Sequence, residues 1–149
     1  MSAPEIIWID SDVLLDHLLR RDPWNEAATE LLVRGAAGQI DLRSSALVFA
    51  NVHYILRKLV GKPAALRDIQ RLAAFIGIAN MGQVEVTRAF DSGMSDFEDA
   101  LQIATAIRVP NLSAILTRNL GDYAQAGVPA MTPRDWLASH PAVGSSDGS

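Results

Sequence analysis

The chain has 149 residues, no cysteine, 49% hydrophobic and 20% charged residues, and 17 acidic against 13 basic side chains, for a formal net charge of -4. These values fit one domain of ordinary size with a real core, and the lack of cysteine excludes thiolate zinc sites, thiol nucleophiles and disulfides, leaving oxygen or imidazole to hold any metal. No apolar run reaches the roughly 18 residues of a membrane span and no basic region with an apolar core opens the chain, so the expected setting is the cytoplasm, without membrane.

Ile6-Ile7-Trp8-Ile9 is too short and too β-branched to prefer helix, and it ends at Asp10; it predicts a buried strand. Val13, Leu14, Leu15, Leu18 and Leu19 then recur at helical spacing, with Asp12 as the expected N-cap. A second helix is expected from about Pro23 to Gly35, with Trp24, Ala27, Ala28, Leu31 and Leu32 inward. Gly38 to Leu42 reads as loop and short strand. Ser45 opens a helix carrying Leu47, Val48, Asn51, Val52, Ile55, Leu56 and Leu59, closed by Gly61-Lys62-Pro63. Ala64 to Gly77 repeats the amphipathic pattern, Val84-Glu85-Val86 alternates as a strand, and Ser95 to Arg108 is a helix. Ala114 to Thr117 is a strand, Asn119 to Gln125 a short helical or turn segment, Val128 to Met131 an edge strand because of Pro129, and Pro133 to Leu137 a last helical turn. A single domain over 1–140 with a disordered tail over 141–149 is expected.

Strands alternating with helices predict an α/β fold with a parallel sheet covered on both faces, and in such sheets ligands gather beyond the carboxyl ends of the strands. The acids fall there. Asp10 and Asp12 follow the first strand, Thr117, Asn119 and Asp122 follow the strand at Ala114, and Asp96 and Asp99 share one face of a helix start. Carboxylates brought together repel unless a cation neutralises them, which points to a hard ion such as Mg²⁺ or Mn²⁺. Each acid also has a structural reading. Asp96 suits the helix dipole, Ser95 with Glu98 forms a capping box, and Asp12 is an N-cap or a group behind the ligands. Asp99, followed by Ala100, Leu101, Ile103 and Ala104, is better explained by metal, because an unpaired buried carboxylate is costly. Asp16 reads as surface or as a salt-bridge partner. His17, His53 and His140 have no metal-ligand spacing, and the three tryptophans suit packing better than base stacking.

Three segments in order, Ile9-Asp10-Ser11-Asp12-Val13-Leu14-Leu15-Asp16, Ser95-Asp96-Phe97-Glu98-Asp99-Ala100-Leu101-Gln102 and Leu116-Thr117-Arg118-Asn119-Leu120-Gly121-Asp122-Tyr123, closing with Thr132-Pro133, resemble the PIN domain over about Ile6 to Leu137. Within it the chain resembles the VapC-type toxins of toxin–antitoxin pairs. The resemblance implies a three-layer α/β/α sandwich with about five parallel strands, and a Mg²⁺- or Mn²⁺-dependent endoribonuclease in which metal-activated water hydrolyses RNA. It implies Asp10 and Asp99 as metal ligands, Asp96 as a supporting acid, and either Asn119 or Asp122 as the last polar ligand, with Thr117 beside them. It further implies a cognate antitoxin and a homodimer.

Many members of that family carry a glutamate where this sequence has Asn51, a supporting polar residue that can still coordinate by its carbonyl or hold a water but brings no charge; this leaves lower metal affinity, compensation by Asp96 and Asp122, or a catalytically weak or inactive module that binds RNA or protein. Charge is also segregated along the chain. His17 to Arg71 holds nine basic and five acidic side chains, a local +4, so Arg20, Arg21, Arg57 and Lys58 are candidate phosphate contacts. Asp10-Ser11-Asp12-Val13-Leu14 also resembles the opening motif of haloacid-dehalogenase-type phosphatases, which would use Asp10 and Asp12, but that chemistry needs a late lysine and none follows Lys62.

Overall fold

A computed structural model describes residues 3–142. Five strands form one fully parallel sheet in the order β3-β2-β1-β4-β5, with β1 (Ile6–Ile9) at its centre, flanked by β2 (Asp41–Ser45) and β4 (Leu112–Leu116) and edged by β3 (Ile76–Ala79) and β5 (Ala130–Met131). Alternation along β1 divides the core into two layers. Ile7 and Ile9 join Ala114 and Leu116 on one face, against helices α1 (Ser11–Leu18), α2 (Asn25–Ala36), α3 (Ala46–Val60), α4 (Lys62–Ala73) and α7 (Pro133–Ser139). Trp8 and Ile115 face the other way, against α6 (Phe97–Ala106) and a 3₁₀ turn at Leu120–Tyr123; α5 (Gln83–Asp91) packs on α6. The architecture is the expected three-layer α/β/α sandwich. Among the described residues no helix is long and apolar enough to cross a membrane. The expected tail lies, from residue 143 onward, outside the described residues.

Because every strand is parallel, the ends of β1, β2 and β4 emerge on one edge: Asp10, Ser45 and Thr117 are edge neighbours. Ser45 caps α3, its hydroxyl accepting from Val48 N at 3.0 Å while donating to Gln102 on α6 at 2.9 Å. Gly35 lets α2 approach the sheet, since a Cβ there would overlap the Leu42 side chain.

Several elements differ from the sequence expectation. Val84 to Val86 belongs to α5, not to a strand: Val84 is exposed, whereas Glu85 faces inward, accepts from Gly82 N at 2.8 Å and pairs with Arg108. Three alternating residues were too short to fix the period, and an ion pair with the exposed Arg108 side chain lets Glu85 take the inside position. The missing strand is β3, inside the region expected to continue the helix from Ala64 to Gly77. It is an edge strand that buries Ile76 but leaves Ile78 exposed, so its alternation is weak. The helix expected from Ser95 starts at Phe97 and is capped by Asp96, not Ser95. The first helix is capped by Asp10, not Asp12. On α3, Val48, Val52 and Leu56 are buried, while Ile55 and Leu59 are exposed. Trp24 precedes α2 and is 41% exposed instead of packed inward.

Candidate active site

The carboxyl end of β1 delivers Asp10, which is buried and held at both oxygens. Its Oδ1 accepts from Ser11 N at 2.8 Å, and its Oδ2 accepts from the Thr117 hydroxyl at 2.8 Å. Thr117, fully buried at the end of β4, also accepts from Asn119 N at 2.9 Å. Tyr123 lies buried nearby, its phenol pushed up by desolvation first and then by the charge of Asp10. Asp12 faces the same edge. Its Oδ2 accepts from Arg118 N at 2.8 Å, its Oδ1 is buried with no hydrogen-bond partner among the described residues, and burial, then Asp10, pushes its carboxyl up to about 6.

Asp96, Asp99 and Asp122 line one pocket of about 280 Å³, together with Ser95 and Gly121. Asp96 Oδ1 accepts from Asp99 N at 2.9 Å, so the cap of α6 also presents its next acid. Asp99 is half-buried rather than deep in the core, and its carboxyl is pushed up to about 6 by desolvation, then by Asp122, Asp96, Glu98 and Asp10. The 3₁₀ turn thus brings Asp122 into the pocket, while Asn119, at the start of that turn, is exposed and is not among the residues lining it. Asn51, on α3, donates from Nδ2 to Glu98 Oε1 at 2.9 Å, placing a carboxylate beside the amide. Among the described residues no three His, Asp or Glu side chains form a ready metal-binding group.

The expected basic residues divide. Arg57 and Lys58 lie over the Tyr54 ring at the far end of α3, about 20 Å along the helix axis from its start at Ser45 by the rise of 1.5 Å per residue. Arg20 is exposed just after α1, and Arg21 lies 3.8 Å from Asp16. Asp16 is buried, not a surface residue, and its two oxygens accept from Arg118 Nε at 2.7 Å and Nη2 at 3.0 Å. The same guanidinium lies 3.8 Å from the centroid of the Trp24 ring. Sequence reasoning assigned no role to Arg118 or Tyr123, and for Trp24 it suggested packing in the core. The available signal was the position of Arg118, which directly follows Thr117 and lands beside α1 once β4 pairs with β1. Trp8 and Trp136 are buried as expected. The phosphatase chemistry has no lysine at this edge, since Lys58 and Lys62 both lie near the α3–α4 junction.

A sequence model of the PIN domain matches residues 7–121. The chain belongs to the PIN domain family. It is 28% identical to Ribonuclease VapC1 of Aquifex aeolicus over 68% of this chain and 74% of that protein. In fold it is similar to a chain of a toxin–antitoxin complex from Klebsiella pneumoniae, with a TM-score of 0.61 and 23% identity, covering 89% of this chain and 98% of the other. It is also similar to the sarcin–ricin-loop-cleaving toxin VapC20 of Mycobacterium tuberculosis, with a TM-score of 0.62 and 19% identity, covering 82% and 95%.

Proposed function

We propose that this PIN-domain protein is a divalent-metal-dependent endoribonuclease and the toxin of a VapBC-type pair. The observation that carries the reading is the pocket shared by Asp96, Asp99 and Asp122 at the sheet edge where Asp10 emerges. The donors fit Mg²⁺ or Mn²⁺: all are oxygens, Asp12 Oδ1 is a buried orphan, and Asp99 is raised by desolvation and then by the like charges around it. Asp10, Asp99 and Asp122 would hold the cation, with Asp96 supporting. Bound there, it would supply charge for the scissile phosphate and acidify water.

The chain's own groups set the frame for that chemistry. Thr117 and Ser11 N fix both oxygens of Asp10. Arg118 N does the same for one oxygen of Asp12. Tyr123 walls the inner side of the site with a group that stays neutral. Preorganised acids of this kind need no rearrangement when substrate arrives. The name of the Aquifex relative and the toxins among the structural neighbours favour RNA as substrate and an antitoxin as partner. The cytoplasm is the compartment this reading implies. Exposed Tyr54, Ile55, Leu59 and Leu66 on α3 and α4 offer surface for a homodimer.

The test is cleavage of a mixed RNA pool by purified, antitoxin-free chain in Mg²⁺ or Mn²⁺. Cleavage should vanish with chelator and in Asp10→Ala and Asp99→Ala. Activity surviving chelation would overturn the metal dependence. The second reading, a module that binds without cutting, is favoured by uncharged Asn51 and would be supported by RNA binding without cleavage.

A further inference from the structure

The geometry points to a binding site for an unpaired RNA base at Trp24, against the Arg118 side chain whose backbone N–H holds Asp12; it rests on the ribonuclease reading. The indole is unusual among the three tryptophans of the chain. Trp8 and Trp136 are buried, whereas Trp24 is 41% exposed. It is also held in place from one side. Asp16, itself buried, grips the Arg118 guanidinium through two hydrogen bonds of 2.7 and 3.0 Å, and that guanidinium lies 3.8 Å from the indole centroid. An ion pair anchored in the core thus fixes an aromatic plane at the surface, so little side-chain freedom remains to be lost when a ring stacks on it.

The surroundings fit a nucleotide. Trp24, Ala27, Arg118, Thr132, Pro133, Arg134 and Asp135 line a pocket of about 360 Å³. Arg134 is exposed and makes no ion pair among the described residues, which leaves a cation for a phosphate. Aromatic rings beside arginines stack bases with little sequence preference, and only unpaired bases expose their faces.

Position ties this pocket to the acids. Arg118 directly follows Thr117, which holds Asp10, and its own N–H holds Asp12. A base on Trp24 would therefore lie next to the segment that holds Asp10 and Asp12 at the sheet edge. Substitution at Trp24 spares the helix that follows, because Trp24 supplies no side-chain cap to α2.

The test measures binding in a cleavage-dead Asp10→Asn/Asp99→Asn chain. The probes are a short mixed-sequence single-stranded oligoribonucleotide, its abasic counterpart and a duplex. Trp24→Ala should weaken single-strand binding by about tenfold, with Trp24→Phe retaining most of it. The abasic and duplex probes should be indifferent to the change, the salt slope should stay the same, and the single strand should quench tryptophan fluorescence, a signal that only Trp24 is exposed enough to give. Unchanged affinity in Trp24→Ala, or an equal loss for all three probes, overturns the site while leaving wild-type cleavage intact. Absence of both binding and wild-type cleavage overturns the ribonuclease reading with it. Quenching by an acidic peptide but not by RNA assigns the face to a protein partner and overturns the proposal.

Discussion

Asn51 Nδ2 donates to Glu98 Oε1 at 2.9 Å, linking the helix that follows the second strand to the helix that carries Asp99. The amide draws a carboxylate from another element into its neighbourhood, and Glu98 is one of the charges that raise Asp99. Glu98→Gln should therefore lower the Asp99 pKa, read by carboxyl NMR titration. It should also weaken Mn²⁺ binding in calorimetry by less than Asp99→Asn does, because Glu98 acts from further away. An Asp99 titration that did not move would sever the link.

Asp12 and Asp99 are both pushed up to about 6 from an ordinary 3.8, so the folded chain binds these two protons more tightly than the unfolded chain does. Their contribution to stability is full below 3.8 and is lost as pH rises through 6. With chelator, the melting temperature should fall between pH 5 and 7, by the equivalent of about 2 kcal/mol after allowance for solvent screening. Saturating Mg²⁺ should flatten that slope. A rising melting temperature over the same window in chelator would contradict the environment described for both groups.

Arg118→Ala leaves Asp16 buried with only the more distant Arg21 nearby. Losing one partner of a buried pair costs about 3 kcal/mol, which in a domain of this size lowers the melting temperature by roughly 10 °C. Arg118→Ala combined with Asp16→Leu should recover much of that loss, since no charge is then left unpaired. Equal instability of the single and double variants would argue that Arg118 acts through the Trp24 ring alone.

Gly35→Ala offers a test of the α2–β2 contact. In an exposed helix the change would stabilise by up to about 1 kcal/mol, but here the methyl overlaps Leu42, so a net loss of about 1–3 kcal/mol is expected in chemical denaturation. Adding Leu42→Ala, which vacates the space, should make the two changes less costly together than their separate sum.

The central strand and the order of the acids could be read from the sequence because both obey short-range rules. A strand buried on two faces is apolar without interruption, and Asp10 ends it. Parallel topology then carries Thr117 to the same edge. The rest depended on partners distant in sequence. Glu85 reads as a solvent-facing residue until Arg108 lies beside it, and β3 is a strand only because β2 offers it a ladder. Trp24 looked like a core residue by its spacing, and nothing local distinguishes it from one; its exposure and its cation are set by β4 and α1. Deep burial was the wrong ground for singling out Asp99, since the half-exposed group owes its raised pKa to neighbouring acids as well as to desolvation.

The double duty of Asp10 bears on genetics. One of its oxygens holds the first N–H of α1, so Asp10→Ala removes a helix cap, at about 1 kcal/mol, as well as an acid. In a living cell a loss of that size can reduce how much protein accumulates several-fold. A growth phenotype that disappears with this allele would then mix dosage with chemistry. Among the described residues the Asp99 side chain accepts no hydrogen bond, so an Asp99→Asn allele, matched for expression, is the cleaner null.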